Sequence, residues 1–225
     1  MTGRNKPRSA AEQVSDLTAG RLSVYLRCLT TLDAAGVKTI SSRSLAERFH
    51  LNAAQIRKDL AYFGEFGVRG VGYYVADLKT HLRAILGLEK PVRVGIIGAG
   101  NLGRALADYQ GFRVEGFHIV ALFDTEPNRI GHPSRQGVPV RHVDDFTRMA
   151  AAQELDIVVI AVPEPAAQGV VNLAVESGIR AILNFSPGAL QVPGGVKLKN
   201  VDLTVSLESL SFFLARGEQH VPGET

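Results

Sequence analysis

Three glycines spaced as GxGxxG, Gly98, Gly100 and Gly103, stand at the end of the apolar run Val94-Gly95-Ile96-Ile97. In such a pattern the first glycine permits a tight turn from strand to helix. The second lets the main chain approach a pyrophosphate, and the third lets the helix pack closely on the strand. Ala99, Asn101 and Leu102 complete the loop, and the free N–H groups where the helix opens favour negative charge. An acid, Asp124, ends the next apolar run 21 positions after Gly103, where a carboxylate takes a ribose 2′-hydroxyl. The same charge repels a 2′-phosphate, so the pattern favours NADH and NAD+ over NADP. Arg129, five residues on, weakens that preference. A second ligand-facing edge is expected at Val162 and Pro163, because ligands of open α/β sheets sit outside the carboxyl ends of the strands. Pro163-Glu164-Pro165 reads equally well as a rigid helix start.

A second group of residues suits a polyanion. Asn52 is a good helix N-cap, with Gln55 three residues later in the manner of a capping box and Leu51 and Ile56 as a hydrophobic staple. Ile56, Leu60 and Phe63 continue one buried face, which leaves Ala54, Arg57, Lys58, Ala61 and Tyr62 outward. Arg57 and Lys58 suit guanine edges or phosphates, Tyr62 a phosphate or a thymine methyl, and Gln55 is expected to bind DNA with them. The same face reads alternatively as an ordinary solvated one. The glycine-rich stretch from Gly64 to Tyr73 then reads as a hairpin with Arg69 and Gly70 at its tip. A hairpin after a recognition helix is a wing, and its arginine suits a narrow minor groove.

The elements that must position these groups divide at Pro91. Before it the pattern is helical. A first helix is expected from Thr18, with Leu22, Tyr25, Leu26, Leu29 and Leu32 on one face and Gly36 closing it. A short helix capped by Ser41 or Ser42 follows, then the helix after Asn52, then one over 77–86. After Pro91, apolar runs at 92–97, 119–123, 157–162 and 181–185 alternate with helical stretches at 102–109 and 166–176. That alternation implies a doubly wound α/β sheet of the Rossmann type. A separate amphipathic helix is expected over 206–216, with Leu207, Leu210, Phe213 and Leu214 on one face. The expected organisation is a flexible basic arm at 1–17, a winged helix-turn-helix domain at 18–86, a linker at 87–91, the dinucleotide-binding domain at 92–205, the helix at 206–216 and a flexible tail at 217–225.

Charge supports the division. Residues 1–90 hold 14 Lys and Arg against 8 Asp and Glu, a net +6, while the remainder holds 11 against 14, a net −3. A basic first part beside an acidic second part points the first toward a polyanion. With 45% apolar and 21% charged residues, the composition is that of a soluble globular chain. No apolar run is long enough to span a membrane, and the basic, polar N-terminus does not read as a secretory signal, so a cytoplasmic protein is expected. Cys28 is the one cysteine, which excludes an internal disulfide or a CxxC redox pair.

The run Gln55-Ile56-Arg57-Lys58-Asp59-Leu60-Ala61-Tyr62-Phe63-Gly64, continued by Arg69-Gly70-Val71-Gly72-Tyr73, resembles the signature of the Rex family of redox-sensing transcriptional repressors. Arg21-Leu22 with Tyr25-Leu26-Arg27, the glycine loop, Asp124, Asn184-Phe185-Ser186-Pro187 and Val201-Asp202 extend the resemblance over roughly residues 18 to 216. It implies a homodimer that exchanges its C-terminal helices, each placed between the partner's two domains. It implies an inverted-repeat operator held by the free or NAD+-bound dimer and released by NADH. It also implies that Arg27, Tyr109 and Asp202 couple the nicotinamide site to the dimer arrangement, with Tyr109 and Asp202 beside the cofactor.

Two rivals use the same residues. An NAD-dependent dehydrogenase needs a proton-transfer group beside the nicotinamide, and His50, His81, His118, His132, His142 and His220 lie in no recognisable catalytic motif. No Ser–His–Asp order, HExxH or Cys/His metal spacing is present, so neither catalysis nor a metal is expected. A CoA-binding or other nucleotide-binding module is the second rival, suggested by Ala161-Val162-Pro163 with Asn184 to Gly188; Asp124 argues for NAD instead.

Overall fold

The computed structural model describes residues 16–152 and 154–217, which fall into two compact units divided between Lys90 and Pro91. Most of the expected arm and tail, 1–15 and 218–225, lies outside the described residues.

The first unit opens with α1 (Asp16–Ala34). Its start precedes the expected cap Thr18, which lies inside the helix and accepts a 3.1 Å hydrogen bond from Arg21. The predicted face, Leu22, Tyr25, Leu26, Leu29 and Leu32, is buried, and Cys28 joins it. Gly36 closes the helix at φ +74°. Next come β1 (Thr39–Ile40), α2 (Ser42–Phe49) and α3 (Ala53–Phe63). Ser41 caps α2 by accepting from the Ser44 N–H, and Asn52 caps α3 by accepting from that of Gln55. Between them the chain turns at His50, whose φ of 54° is the sole positive value outside glycine among the described residues. The hairpin β2 (Gly67–Val68) and β3 (Gly72–Tyr74) follows, and β3 also pairs antiparallel with β1, giving the order β1-β3-β2. The chain runs straight into α4 (Val75–Ile85), which begins two residues before the expected 77, and its first N–H, on Val75, donates to the Lys38 carbonyl. Leu78 and Leu82 of α4 are buried, and Lys79 pairs with Asp33 of α1.

The second unit runs β4 (Val92–Ile97), α5 (Asn101–Ala107), α6 (Gln110–Val114), β5 (Phe117–Asp124), β6 (Val140–His142), α7 (Asp144–Ala151), β7 (Ile157–Ile160), α8 (Glu164–Glu176), β8 (Ala181–Asn184), β9 (Lys197–Asn200) and α9 (Leu203–Gly217). Among the described residues the strands form one parallel sheet in the order β6-β5-β4-β7-β8-β9. That is the doubly wound order of dinucleotide-binding sheets, reversing direction between β4 and β7. Successive residues alternate faces. Ile97, Phe123, Val158 and Ile160 join Phe146 and Val171 on one side, while Ile96, Leu122 and Val159 join Ala107 and Val140 on the other. Burial on both faces explains the continuous apolar runs that marked these strands.

The structure corrects the sequence reading at several points. The helix expected over 102–109 is two, α5 and α6, broken at Asp108 and Tyr109. β6, α7 and β9 went unpredicted. β6 has three residues, two of them charged or polar, and β9 is a Lys-Leu-Lys-Asn edge strand without an apolar run. α9 extends beyond the expected 206–216 at both ends, and its side chains, Leu207, Leu210, Phe213 and Leu214 included, are exposed.

Candidate dinucleotide site and nucleic-acid interface

The glycine loop lies at the sheet's switch point. A Cβ on Gly98, whose φ is +105°, would stand 2.3 Å from the carbonyl oxygen of Ala161 at the end of β7. A Cβ on Gly103 would stand 1.8 Å from the Gly98 carbonyl oxygen. No side chain fits at either place, so loop, helix and both strand ends are held in main-chain contact. Gly100, the N-cap of α5, differs: a Cβ there would meet no protein atom within 4 Å. Its glycine answers no packing need of the chain and leaves the main chain open to an approaching group, which fits a pyrophosphate. Ala99 is buried, while Asn101 and Leu102 are exposed at the start of α5.

Asp124 at the end of β5 is 8% exposed and fully engaged. Oδ1 accepts from the Thr125 and Glu126 N–H groups at 2.8 and 2.9 Å. Oδ2 accepts from the Ala99 N–H at 2.7 Å and from Arg129 Nη1 at 3.1 Å. Burial opposes the charge, but the Glu126 and Ala99 N–H groups and the Arg129 guanidinium outweigh it and hold the carboxyl below its usual range. Arg104 of α5 adds donors to the carbonyls of Ala99 (3.1 Å) and Pro133 (3.3 Å), tying the loop to the β5–β6 connection.

On the other side of the switch point, Val162 is half-buried and Pro163 is exposed at the start of α8. The Ser186 hydroxyl donates to the Val162 carbonyl at 2.5 Å. Buried Asn184 donates to the Ser186 carbonyl and to Asn200 Oδ1, and accepts from the Ser186 N–H. The ends of β7, β8 and β9 are thereby fastened together. Tyr109 precedes α6, is 61% exposed and packs edge-on against Phe112 at 5.0 Å between ring centres. It lines a shallow cavity of about 650 Å³ with Phe112, Phe117 and His118. Asp202 caps α9, accepting from the Thr204 and Val205 N–H groups. Within one chain, no hydrogen bond joins Tyr109 to Asp202 among the described residues. Arg27 is exposed on α1 in the first unit.

In the first unit, Ala54, Arg57, Lys58, Ala61 and Tyr62 of α3 are exposed together, as their spacing predicts. Arg57 reaches the Ser42 hydroxyl at 3.0 Å, bracing α3 on the start of α2. Arg69 and Gly70 form the hairpin tip, where the Val71 N–H bonds to the Val68 carbonyl and Gly70 has φ +82°, the geometry of a type II turn. Half of the expected capping box is present. The Gln55 amide turns away from the cap and donates to Asp59 at 2.7 Å.

Asp59 is the residue that sequence reasoning left without a role. It is 4% exposed and takes four donors: Arg21 through Nε (2.6 Å) and Nη2 (2.8 Å), the Tyr25 hydroxyl (2.9 Å) and Gln55. The signal was available, because Asp59 falls on the stripe of Ile56, Leu60 and Phe63, where an acid requires partners. Arg21 beside it holds its carboxyl low against the penalty of burial, with help from Gln55 and Tyr25. Burial and the bond to Asp59 push the Tyr25 hydroxyl up in turn. The network fastens the basic helix to α1.

Two family models match parts of the chain. Residues 89–188 match the family model of the CoA binding domain, and residues 13–61 match a model described as a putative DNA-binding protein N-terminus. The chain is 49% identical to a redox-sensing transcriptional repressor Rex of Desulfitobacterium hafniense, over 89% of this chain and 95% of that protein. It is also 49% identical to the Rex protein of Syntrophomonas wolfei, over 90% of this chain and 96% of the relative. A crystal structure of the repressor RSP with β-NAD+ and operator DNA superposes with a TM-score of 0.86 at 41% identity, covering 92% of this chain and 94% of that one. RSP with β-NADH superposes at 0.81 and 40% identity, covering 92% and 97%.

Gly103→Ala should destabilise the second unit by about 3 kcal/mol, since its methyl meets main chain. Gly100→Ala should leave stability within about 0.5 kcal/mol and weaken dinucleotide binding; urea melts and a binding titration separate the two. Asp59, whose pKa is lowered by folding, contributes its stability above the unfolded value of about 3.9 and loses it as pH falls through the folded value. Asp59→Asn should therefore cost about 2 kcal/mol at pH 7, less than a fully buried pair because the Arg21 side chain is 35% exposed. The gap between variant and parent should begin to narrow below about pH 4 and close as pH falls through the lowered folded value, as read from urea melts at stepped pH.

Proposed function

The chain belongs to the Rex family of redox-sensing transcriptional repressors, and on that premise we propose that it represses transcription by holding operator DNA and releases it when its second unit binds NADH. The observation that carries this reading is the joining, in one chain, of a basic helix and wing tip with a glycine loop and acid built for a dinucleotide. In this reading the cofactor is a signal and the chain has no catalytic residue.

Gly98, Ala99, Gly100, Asn101, Leu102 and Gly103 hold the pyrophosphate, and Asp124 holds the adenosine ribose. Val162 and Pro163 border the ligand across the switch point. The open position at Gly100 and the buried, charged Asp124 support this assignment. On the DNA side, α3 enters the major groove with Arg57, Lys58 and Tyr62 outward, and Arg69 with Gly70 takes the minor groove. Gln55 serves the interface through Asp59, which its amide supports. The acting species is a homodimer formed through exchanged α9 helices, supported by an α9 whose large apolar side chains are all exposed, at 59–71%. Two recognition helices related by a two-fold axis read an inverted repeat whose half-sites lie one helical turn, or a multiple of it, apart. No helix among the described residues is long and apolar enough to cross a membrane, and no group of His, Cys, Asp and Glu among them could hold a metal ion. DNA and nucleotide partners support a cytoplasmic location.

NADH and NAD+ differ in one charge and in ring planarity, and a ligand shifts a two-state protein only by its differential affinity for the two states. Arg27, Tyr109 and Asp202 carry that difference to the spacing of the two recognition helices. A coupling of about 1–3 kcal/mol per site suffices for a switch.

The test is operator affinity measured against the NADH:NAD+ ratio at fixed salt. Affinity should fall as the ratio rises, and equal affinity at all ratios would overturn the sensor reading while leaving DNA binding intact. Lys58→Ala should weaken binding to all sequences and lower the slope of log affinity against log salt by about 1 if the lysine meets a phosphate.

A further inference from the structure

The Asp124 carboxylate has no acceptor position to spare. A carboxylate offers about four lone-pair directions, and here four donors fill them. Three are main-chain N–H groups. Those of Thr125 and Glu126 belong to the turn that Asp124 itself starts, and that of Ala99 belongs to the loop locked by Gly98 and Gly103. None of these can leave without rebuilding the backbone. The fourth is Arg129 Nη1, on a side chain that is 44% exposed. Arg129 is therefore the movable partner. A ribose hydroxyl that donates to Asp124 must take the place Arg129 holds.

We propose that Arg129 sets the preference at the adenosine 2′ position: it competes with the ribose of NADH for Asp124 and, once displaced, offers its guanidinium to a 2′-phosphate. This rests on the assignment of the adenosine ribose to Asp124. The two effects have opposite signs for the two dinucleotides. For NADH, the Arg129–Asp124 bond must be given up on binding. For NADPH, the dianionic phosphate gains a guanidinium partner suited to it, and part of the repulsion from Asp124 is neutralised. The arginine thus narrows a discrimination that the aspartate alone would make sharper.

The experiment is titration of the full chain with NADH and with NADPH, by calorimetry, for the parent, Arg129→Gln and Arg129→Lys. Arg129→Gln should tighten NADH binding about threefold and weaken NADPH binding about tenfold, the latter matching loss of one partly solvated charged contact of about 1.4 kcal/mol. Arg129→Lys keeps a charge in reach and should restore much of the NADPH affinity. If Arg129 only braces the β5–β6 connection, Arg129→Gln will weaken both dinucleotides by the same factor, and the proposal falls. It falls likewise if the ratio of the two dissociation constants does not move. Failure of the parent chain to bind NADH at all would overturn the cofactor assignment itself and the proposal with it; binding by the parent with an unmoved ratio overturns the role of Arg129 alone.

Discussion

The second unit depends on main chain meeting main chain where the sheet reverses. At the ends of β4 and β7, Gly98 passes so close to the Ala161 carbonyl that a methyl group would overlap it, and α5 sits so close beneath that Gly103 would overlap Gly98. These contacts set the direction in which α5 leaves the sheet and therefore where its first N–H groups point. They also fix the Ala99 N–H on Asp124, which adds to the Gly98 N–H bond to the Phe123 carbonyl in joining the ends of β4 and β5. Everything assigned to the cofactor follows from this junction, including the open side of Gly100, which remains when packing has claimed the glycines on either side.

Each unit uses a buried carboxylate saturated by donors, and the donors differ in a way that matters. Asp59 is met by three side chains, two of them on α1, so its charge works as a fastener between helices. Asp124 is met mostly by main chain, so its position is set by the loop, and a single side chain completes it. A carboxylate held by side chains can loosen a helix when its proton returns. One held by backbone stays in place while an outer partner is exchanged. The first arrangement suits a scaffold for a recognition helix, the second a place where a ligand hydroxyl replaces a side chain.

α9 is a helix without a core of its own. Leu207, Leu210, Phe213 and Leu214 stand outward, and Asp202 begins the helix with a capping bond rather than with a bond to Tyr109. An amphipathic helix is stabilised by what its apolar face covers. That face is the strongest physical argument for a second copy of the chain.

The sequence by itself determined the division at Pro91, the helical faces of α1 and α3, the parallel strands buried on both sides and the glycine loop with its acid. Each rests on local rules: period 3.6, continuous apolar runs, steric freedom at glycine and the capping preferences of Ser41 and Asn52. The tertiary structure alone decided the roles of single polar groups. Gln55 sits at the capping-box position, yet its amide goes to Asp59, because a buried carboxylate needs donors more than an exposed helix end does. Arg129 reads as a basic residue near the ribose, and only the fold shows it on the last open acceptor of Asp124. β6, β9 and the break between α5 and α6 escaped for the same reason. Short edge strands and a helix break are set by neighbours distant in the chain, and no local pattern records who those neighbours are.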